Sequence, residues 1–178
     1  MSESFKIFIV EDDKIFAKML SHYLSHNNNY EIHIFTDGKT CLDNLYQRPS
    51  VISLDYNLPD MSGLEILKRV KDFDPDLPVV IVSGQQDVQT ALQLLKLGAY
   101  DYVLKEDDTK EKLWNLIKNI HEHEKLKRKV SKLEEEVGKK YEYSRLIKGN
   151  SPAIHRVFNL IERAVKTNIN VSITGETG

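Results

Sequence analysis

The sequence holds a single cysteine, Cys41, in 178 residues. One thiol cannot close an internal disulfide, and no cysteine spacing offers a zinc site, so the chain suits a reducing cytosol. No apolar run approaches the length that crosses a bilayer, and the opening MSESFKIFIV has neither a basic leader nor a small-residue cleavage site. A cytoplasmic location is expected. An excess of charge of either sign is also missing: 25 Lys and Arg face 27 Asp and Glu, so no strong field for nucleic acid or a membrane surface is expected overall. With 40% apolar and 29% charged residues, the chain can bury the core of one domain and carry a smaller appendage.

What is present is an alternation of short apolar runs and amphipathic stretches. Lys6 to Val10 is β-prone and stops abruptly at Glu11, Asp12 and Asp13. Ile15, Phe16, Met19, Leu20, Tyr23 and Leu24 then recur at helical steps, and the Asn27-Asn28-Asn29 run ends that helix. A strand over Glu31 to Phe35 and a helix over about Lys39 to Tyr46 follow. Val51 to Asp55 reads as a third strand, after which Ser62 and Glu65 can form a capping box for a helix that buries Leu64, Ile66, Leu67 and Val70. Val79 to Val82 is a fourth strand; Asp87 caps a helix with Val88, Ala91, Leu92 and Leu95 toward the core, closed by Gly98. Ala99 to Leu104 is a fifth strand, and a last helix opens near Asp108 with Leu113, Leu116, Ile117 and Ile120 inward. Five strands alternating with five helices predict a doubly wound α/β fold: a parallel sheet in the order 2-1-3-4-5, with helices on both faces.

Strand ends matter most in such a sheet, because ligands bind beyond their carboxyl edge. There the chain collects Glu11, Asp12, Asp55, Ser83 and Lys105. The stretch around Asp55, VISLDYNLPDMSG, is by itself also compatible with an ordinary turn, and it departs from a calcium loop at Asp60, where glycine is needed. Clustered carboxylates repel one another unless a cation intervenes, and an all-oxygen set favours Mg²⁺ over Zn²⁺. Asp55 can then act as a carboxylate nucleophile toward a phosphoryl group, with Lys105 neutralising charge and Ser83 bonding a phosphoryl oxygen.

These residues carry a resemblance. Glu11-Asp12, Asp55 within D-Y-N-L-P-D-M-S-G, Ser83, Tyr102 and Lys105 make residues 1–122 similar to the flavodoxin-like receiver domain of bacterial two-component response regulators. The resemblance implies that Asp12, Asp55 and the backbone carbonyl of Asn57 bind Mg²⁺, with Glu11 acting through water. It also implies that a histidine kinase or phosphotransfer protein phosphorylates Asp55, and that Ser83 and Tyr102 are the switch pair. Asp13 is read as the neighbour of the acid pair, not a ligand. Glu106 departs from the proline that the family usually carries after its lysine.

Past the receiver, Leu126, Val130, Leu133 and Val137 mark residues 123–145 as a helical linker, either a short coiled coil or a solvated helix, with ion-pair spacings at Glu124/Arg128 and Glu136/Lys140. The basic run Lys125 to Lys132 invites a nucleic-acid reading, but Glu134, Glu135 and Glu136 follow directly, and a dimer helix reads better. Residues 146–178 include a helix over Ala153 to Val165 and a strand-like Asn170 to Thr174 entering Gly175-Glu176-Thr177-Gly178, half of a phosphate-binding loop. This tail resembles the start of the ATPase domain in NtrC-like activators of sigma-54 RNA polymerase. That implies a fragment cut inside the nucleotide-binding loop, with ATP, sigma-54 polymerase and DNA belonging to a full-length parent and no ATP hydrolysis by this chain. A homodimer through the fourth helix, fifth strand, fifth helix and linker is expected. Two alternatives stay open: a receiver-like dimerisation module that is never phosphorylated, and a flavodoxin-like small-molecule enzyme. The second lacks a glycine-rich or hydroxyl-rich loop after the first strand. His22 and His26 lack the intervening glutamate of a zinc-protease helix, His121 and His123 read as solvated, and Trp114 as a core or interface aromatic.

Overall fold

The computed structural model describes residues 4–146, 149, 151–165 and 172. Strands β1 (Phe5–Val10), β2 (Tyr30–Phe35), β3 (Val51–Asp55), β4 (Val79–Ser83) and β5 (Asp101–Leu104) form one parallel sheet in the order β2-β1-β3-β4-β5. The helices are α1 (Lys14–Leu24), α2 (Gly38–Asp43), α3 (Gly63–Phe73), α4 (Val88–Lys96), α5 (Thr109–Leu146) and α6 (Pro152–Val165). The chain divides into two compact units, Met1–Glu124 and Lys125–Gly178, and the division falls within α5.

Every residue of β3 and β4 is buried, as expected of strands covered on both faces. Alternate residues serve opposite cores. Phe8, Val10, Ile52, Leu54, Val79 and Ile81 pack with Ile66, Leu67 and Val70 of α3 and Leu94 of α4. Ile7, Ile9, Val51, Val80 and Val82 pack with Ala17, Leu20 and Leu24 of α1 and Leu113, Ile117 and Ile120 of α5. Each fully buried aliphatic side chain contributes about 1.5–3 kcal/mol relative to exposure. Cys41 belongs to the first core, where burial pushes its thiol up to about 12, so it is an inert packing residue.

Two helices are turned relative to their sequence pattern. In α1, Ala17, Leu20 and Leu24 are the buried residues, while Ile15 is 82% exposed and Met19 is exposed too. Ala17 sits on the face against the sheet, and its short side chain lets the helix approach closely. In α4 only Leu94 is buried; Val88, Leu92 and Leu95 form an exposed apolar stripe. A helix over the sheet's short edge has little strand surface to cover, and one inserted leucine beside Ala99 suffices. His121, expected to be solvated, is half-buried and stacks on Phe5 at 4.4 Å between centroids, with Tyr30 at 5.4 Å; His123 is exposed. Trp114 packs on Tyr23 and Tyr30.

Boundaries moved less. The fifth strand starts at Asp101 rather than Ala99, and the second helix ends at Asp43 before a 3₁₀ turn over Leu45–Gln47. Half of the capping box forms: Glu65 N–H donates to Ser62 Oγ at 3.3 Å, but the Glu65 carboxylate accepts from Arg69 instead of reaching back. Leu126, Val130 and Leu133 are exposed. The side chains of Glu136, Val137 and Lys140, the strand-like Asn170 to Thr174 except Ser172, and the loop Gly175, Glu176, Thr177 and Gly178 lie outside the described residues.

Gly63 opens α3 against the residue that follows β3, with its N–H donating to Tyr56 O at 2.8 Å. A Cβ there would stand 2.8 Å from Tyr56 Cα and 3.2 Å from Asp55 O, and backbone atoms have little freedom to yield. Gly63→Ala is expected to destabilise the protein by about 2 kcal/mol or more, read as a lowered urea midpoint.

Candidate functional site

The carboxyl ends of β1, β3, β4 and β5 meet at one edge of the sheet. Glu11 follows β1 and is 2% exposed; Asp55 ends β3 and is 5% exposed; Ser83 ends β4 and is fully buried. Lys105 follows β5, where its N–H donates to Ser83 O at 2.8 Å and aims the side chain back across the sheet. Its ammonium stands 2.8 Å from both oxygens of Glu11 and 2.8 Å from Asp55 Oδ2. The same nitrogen lies 4.7 Å above the Phe16 ring, an added stabilisation for a half-enclosed cation.

Ligand oxygens of Glu11, Asp12 and Asp55 all lie within 4.8 Å of one another, with Asp12 the exposed member. Three carboxylates against one ammonium leave the cluster short of positive charge. Its all-oxygen donor set suits a hard divalent cation such as Mg²⁺, which accepts carboxylates and retains water. Among the described residues this is the one group of three or more acidic, histidine or cysteine side chains so placed. Burial raises the Glu11 carboxyl to about 7, the Lys105 hydrogen bond opposing and the neighbouring Asp55 adding to the rise. For Lys105 burial alone would lower the ammonium, but hydrogen bonds to Asp55 and Glu11 outweigh it and hold it above its ordinary value.

Asn57 N–H donates to Asp55 Oδ1 at 3.1 Å, and Asn57 pairs with Ser62 across the loop that follows β3. Asp13 serves as the cap of α1, accepting from the N–H groups of Ile15 and Phe16. Tyr102, on β5, is half-buried, and its hydroxyl donates to Gln85 O at 2.7 Å. Gln85 N–H donates to Ser83 Oγ at 3.1 Å, so one residue's amide and carbonyl are held by Ser83 and Tyr102. Gln85 escapes sequence reasoning because only its backbone takes part. Phe16 escapes it because its apolar character reads first as core.

His22 and His26 lie one turn apart, 5.4 Å between rings, but His26 Nδ1 faces the carbonyls of His22 and Tyr23. No cis peptide bond occurs among the described residues, the one after Lys105 included. Glu106 instead bonds Lys112 at 3.0 Å at the start of α5.

Because the folded state holds the Glu11 proton more tightly than the unfolded chain, Glu11's contribution to stability is complete below pH 4.5, its ordinary pKa, and is lost as pH rises through about 7. In metal-free protein at pH 8, Glu11→Gln should therefore raise stability, by up to about 3 kcal/mol. The gain should vanish toward pH 4.5 in denaturant unfolding measured across that range.

The family model of the response regulator receiver domain matches residues 7–118. The chain is 30% identical over 171 residues to regulatory protein LuxO of Vibrio cholerae serotype O1, covering 96% of this chain and 36% of LuxO. It is 26% identical over 174 residues to regulatory protein AtoC of Escherichia coli K12, covering 97% of this chain and 37% of AtoC. The chain thus spans little more than a third of the curated relatives it matches. Among solved structures, the BeF3-activated DrrB receiver domain superposes with a TM-score of 0.62 at 31% identity, covering 67% of this chain and 99% of that one. The signal receiver domain of a LuxO repressor protein from Vibrio parahaemolyticus superposes with a TM-score of 0.62 at 25% identity, covering 70% and 98%. Fold, site geometry and sequence converge: the chain belongs to the response regulator receiver domain family.

Proposed function

We propose that this chain is a phosphorylation-controlled receiver in which Asp55 accepts a phosphoryl group from a histidine kinase or phosphotransfer protein. The observation that carries the reading is the Lys105 ammonium, 2.8 Å from Asp55 and from Glu11. An Asp55 oxygen forms the new bond to phosphorus while the P–N bond to the donor's imidazole breaks, the electron pair leaving with the ring nitrogen. Lys105 then stands beside the transferred group and offsets its charge. Asp12, Asp55 and the Asn57 carbonyl would hold Mg²⁺, with Glu11 bound through water; when present, the ion supplies charge neutralisation for the phosphoryl oxygens.

Ser83 turns its hydroxyl from the Gln85 amide to a phosphoryl oxygen, which frees the loop after β4. Tyr102 holds the carbonyl of the same residue, so release of Gln85 and inward movement of the ring are coupled. The change reaches the surface of α4, β5 and α5, where Val88, Leu92 and Leu95 already stand exposed for a second copy. In the linker, exposed Leu126, Val130 and Leu133 support a helical dimer seam.

The similarity to LuxO and AtoC, together with the tail motifs, supports a parent that is a sigma-54-dependent activator. Its ATPase, polymerase and DNA contacts lie in that parent, and this chain works in the cytoplasm as the regulatory piece. Among the described residues no helix is long and apolar enough to cross a membrane.

Incubation with Mg²⁺ and acetyl phosphate should add one phosphoryl mass to the wild-type chain and none to Asp55→Asn, by intact-mass spectrometry. Unmodified wild type, or equal labelling of Asp55→Asn, would sink the reading and favour the unphosphorylated dimerisation module. Leu92→Glu should weaken self-association in sedimentation while leaving acetyl phosphate labelling intact.

A further inference from the structure

The loop after β3 carries the Asn57 carbonyl, and several of its contacts are internal. Asn57 pairs with Ser62, Gly63 N–H donates to Tyr56 O at 2.8 Å, and Asn57 N–H donates to Asp55 at 3.1 Å. These bonds set the loop's shape. Its placement comes from elsewhere: Tyr56 N–H donates to Val82 O, Leu58 and Met61 lean on the core, and at the tip Asp60 reaches a different element. Asp60 Oδ1 accepts from Gly38 N–H at 2.9 Å and Oδ2 from Lys39 N–H at 2.8 Å, both in the first turn of α2.

These two amides would otherwise lack partners. Asp37, the residue before α2, takes the Thr40 N–H at 2.8 Å and the Thr40 hydroxyl at 2.6 Å. The remaining first-turn donors are left to Asp60, 22 and 21 residues away. The approach is tight: a Cβ at Gly38 would come within 2.8 Å of Met61 Cγ, beside Asp60. A cap supplied in this way ties two elements together, whereas one supplied by Asp37 secures α2 alone.

We propose that Asp60 is a positioning residue for the metal site: anchored on α2, its carboxylate holds the loop where Asn57 presents its carbonyl to Mg²⁺. The inference rests on the metal role proposed above for Asp12, Asp55 and Asn57. Asp60 is three residues from Asn57 and touches neither ion nor phosphoryl group, so it acts through the loop.

The test compares Asp60→Ala, Asp60→Asn and Asp37→Ala in the 178-residue chain. Mg²⁺ affinity is measured by calorimetry, and amide exchange at Asn57 and Gly63 by NMR without metal. Asp60→Ala should weaken Mg²⁺ binding about tenfold or more, as loss of an outer support commonly does, and speed exchange at both amides. Asp60→Asn should fall between, because its amide nitrogen cannot accept the second bond. This milder variant carries the test if the alanine form does not fold. Asp37→Ala should lower thermal stability yet leave Mg²⁺ affinity unchanged. Equal affinity in Asp60→Ala and wild type overturns the inference, as does an equal loss in Asp37→Ala. Wild type that binds no Mg²⁺ overturns the reading of the site and the inference with it, so the two failures are distinguishable.

Discussion

One ammonium holds the working edge of this protein together. Lys105 is drawn from the last strand to the acids that end the first and third, and its bonds to Glu11 and Asp55 offset part of the cost of enclosing those carboxylates. Removing the cation would leave two nearly buried acids facing each other. The pairing is also incomplete, since Asp12 adds a further negative charge at the rim. That imbalance of charge, in an all-oxygen cluster, suits a hard divalent cation.

The sheet explains why the charges meet there. β4 is apolar until its last residue and β3 departs from this only at the small, buried Ser53, so both can be covered on both faces with their charged or terminal polar group kept to the carboxyl end. Parallel pairing puts all such ends on one side. Chemistry and packing are therefore separated along each strand, not between strands. The same economy appears in Gln85, whose backbone joins the end of β4 to the side of β5 without using a side chain.

The loop after β3 is placed chiefly through its backbone. Gly63 lets the start of α3 pass within contact of the Tyr56 backbone, a space that no side chain could share. Asp60 completes the loop's attachment by capping a helix it does not belong to. Both residues act at the level of backbone placement, one by lacking a side chain and the other by lending its acceptors.

The order of strands, the apolar faces of α3 and of the first turns of α5, and the acids and lysine at the sheet edge follow from the sequence alone. Hydrophobic period, abrupt polar termini and turn residues are local properties, written within a few positions of one another. The faces of α1 and α4 were not legible in this way. A sequence period says that an apolar stripe exists, but neighbouring elements decide which side of it is covered: Ala17 and Leu94 went inward, while Ile15 and Leu92 stayed out. The place of Phe16 beneath Lys105, the stacking of His121 on Phe5 and the reach of Asp60 to α2 likewise depend on residues distant in the chain. Such contacts exist only after the sheet has brought its connections together, and there tertiary packing, not local pattern, decides.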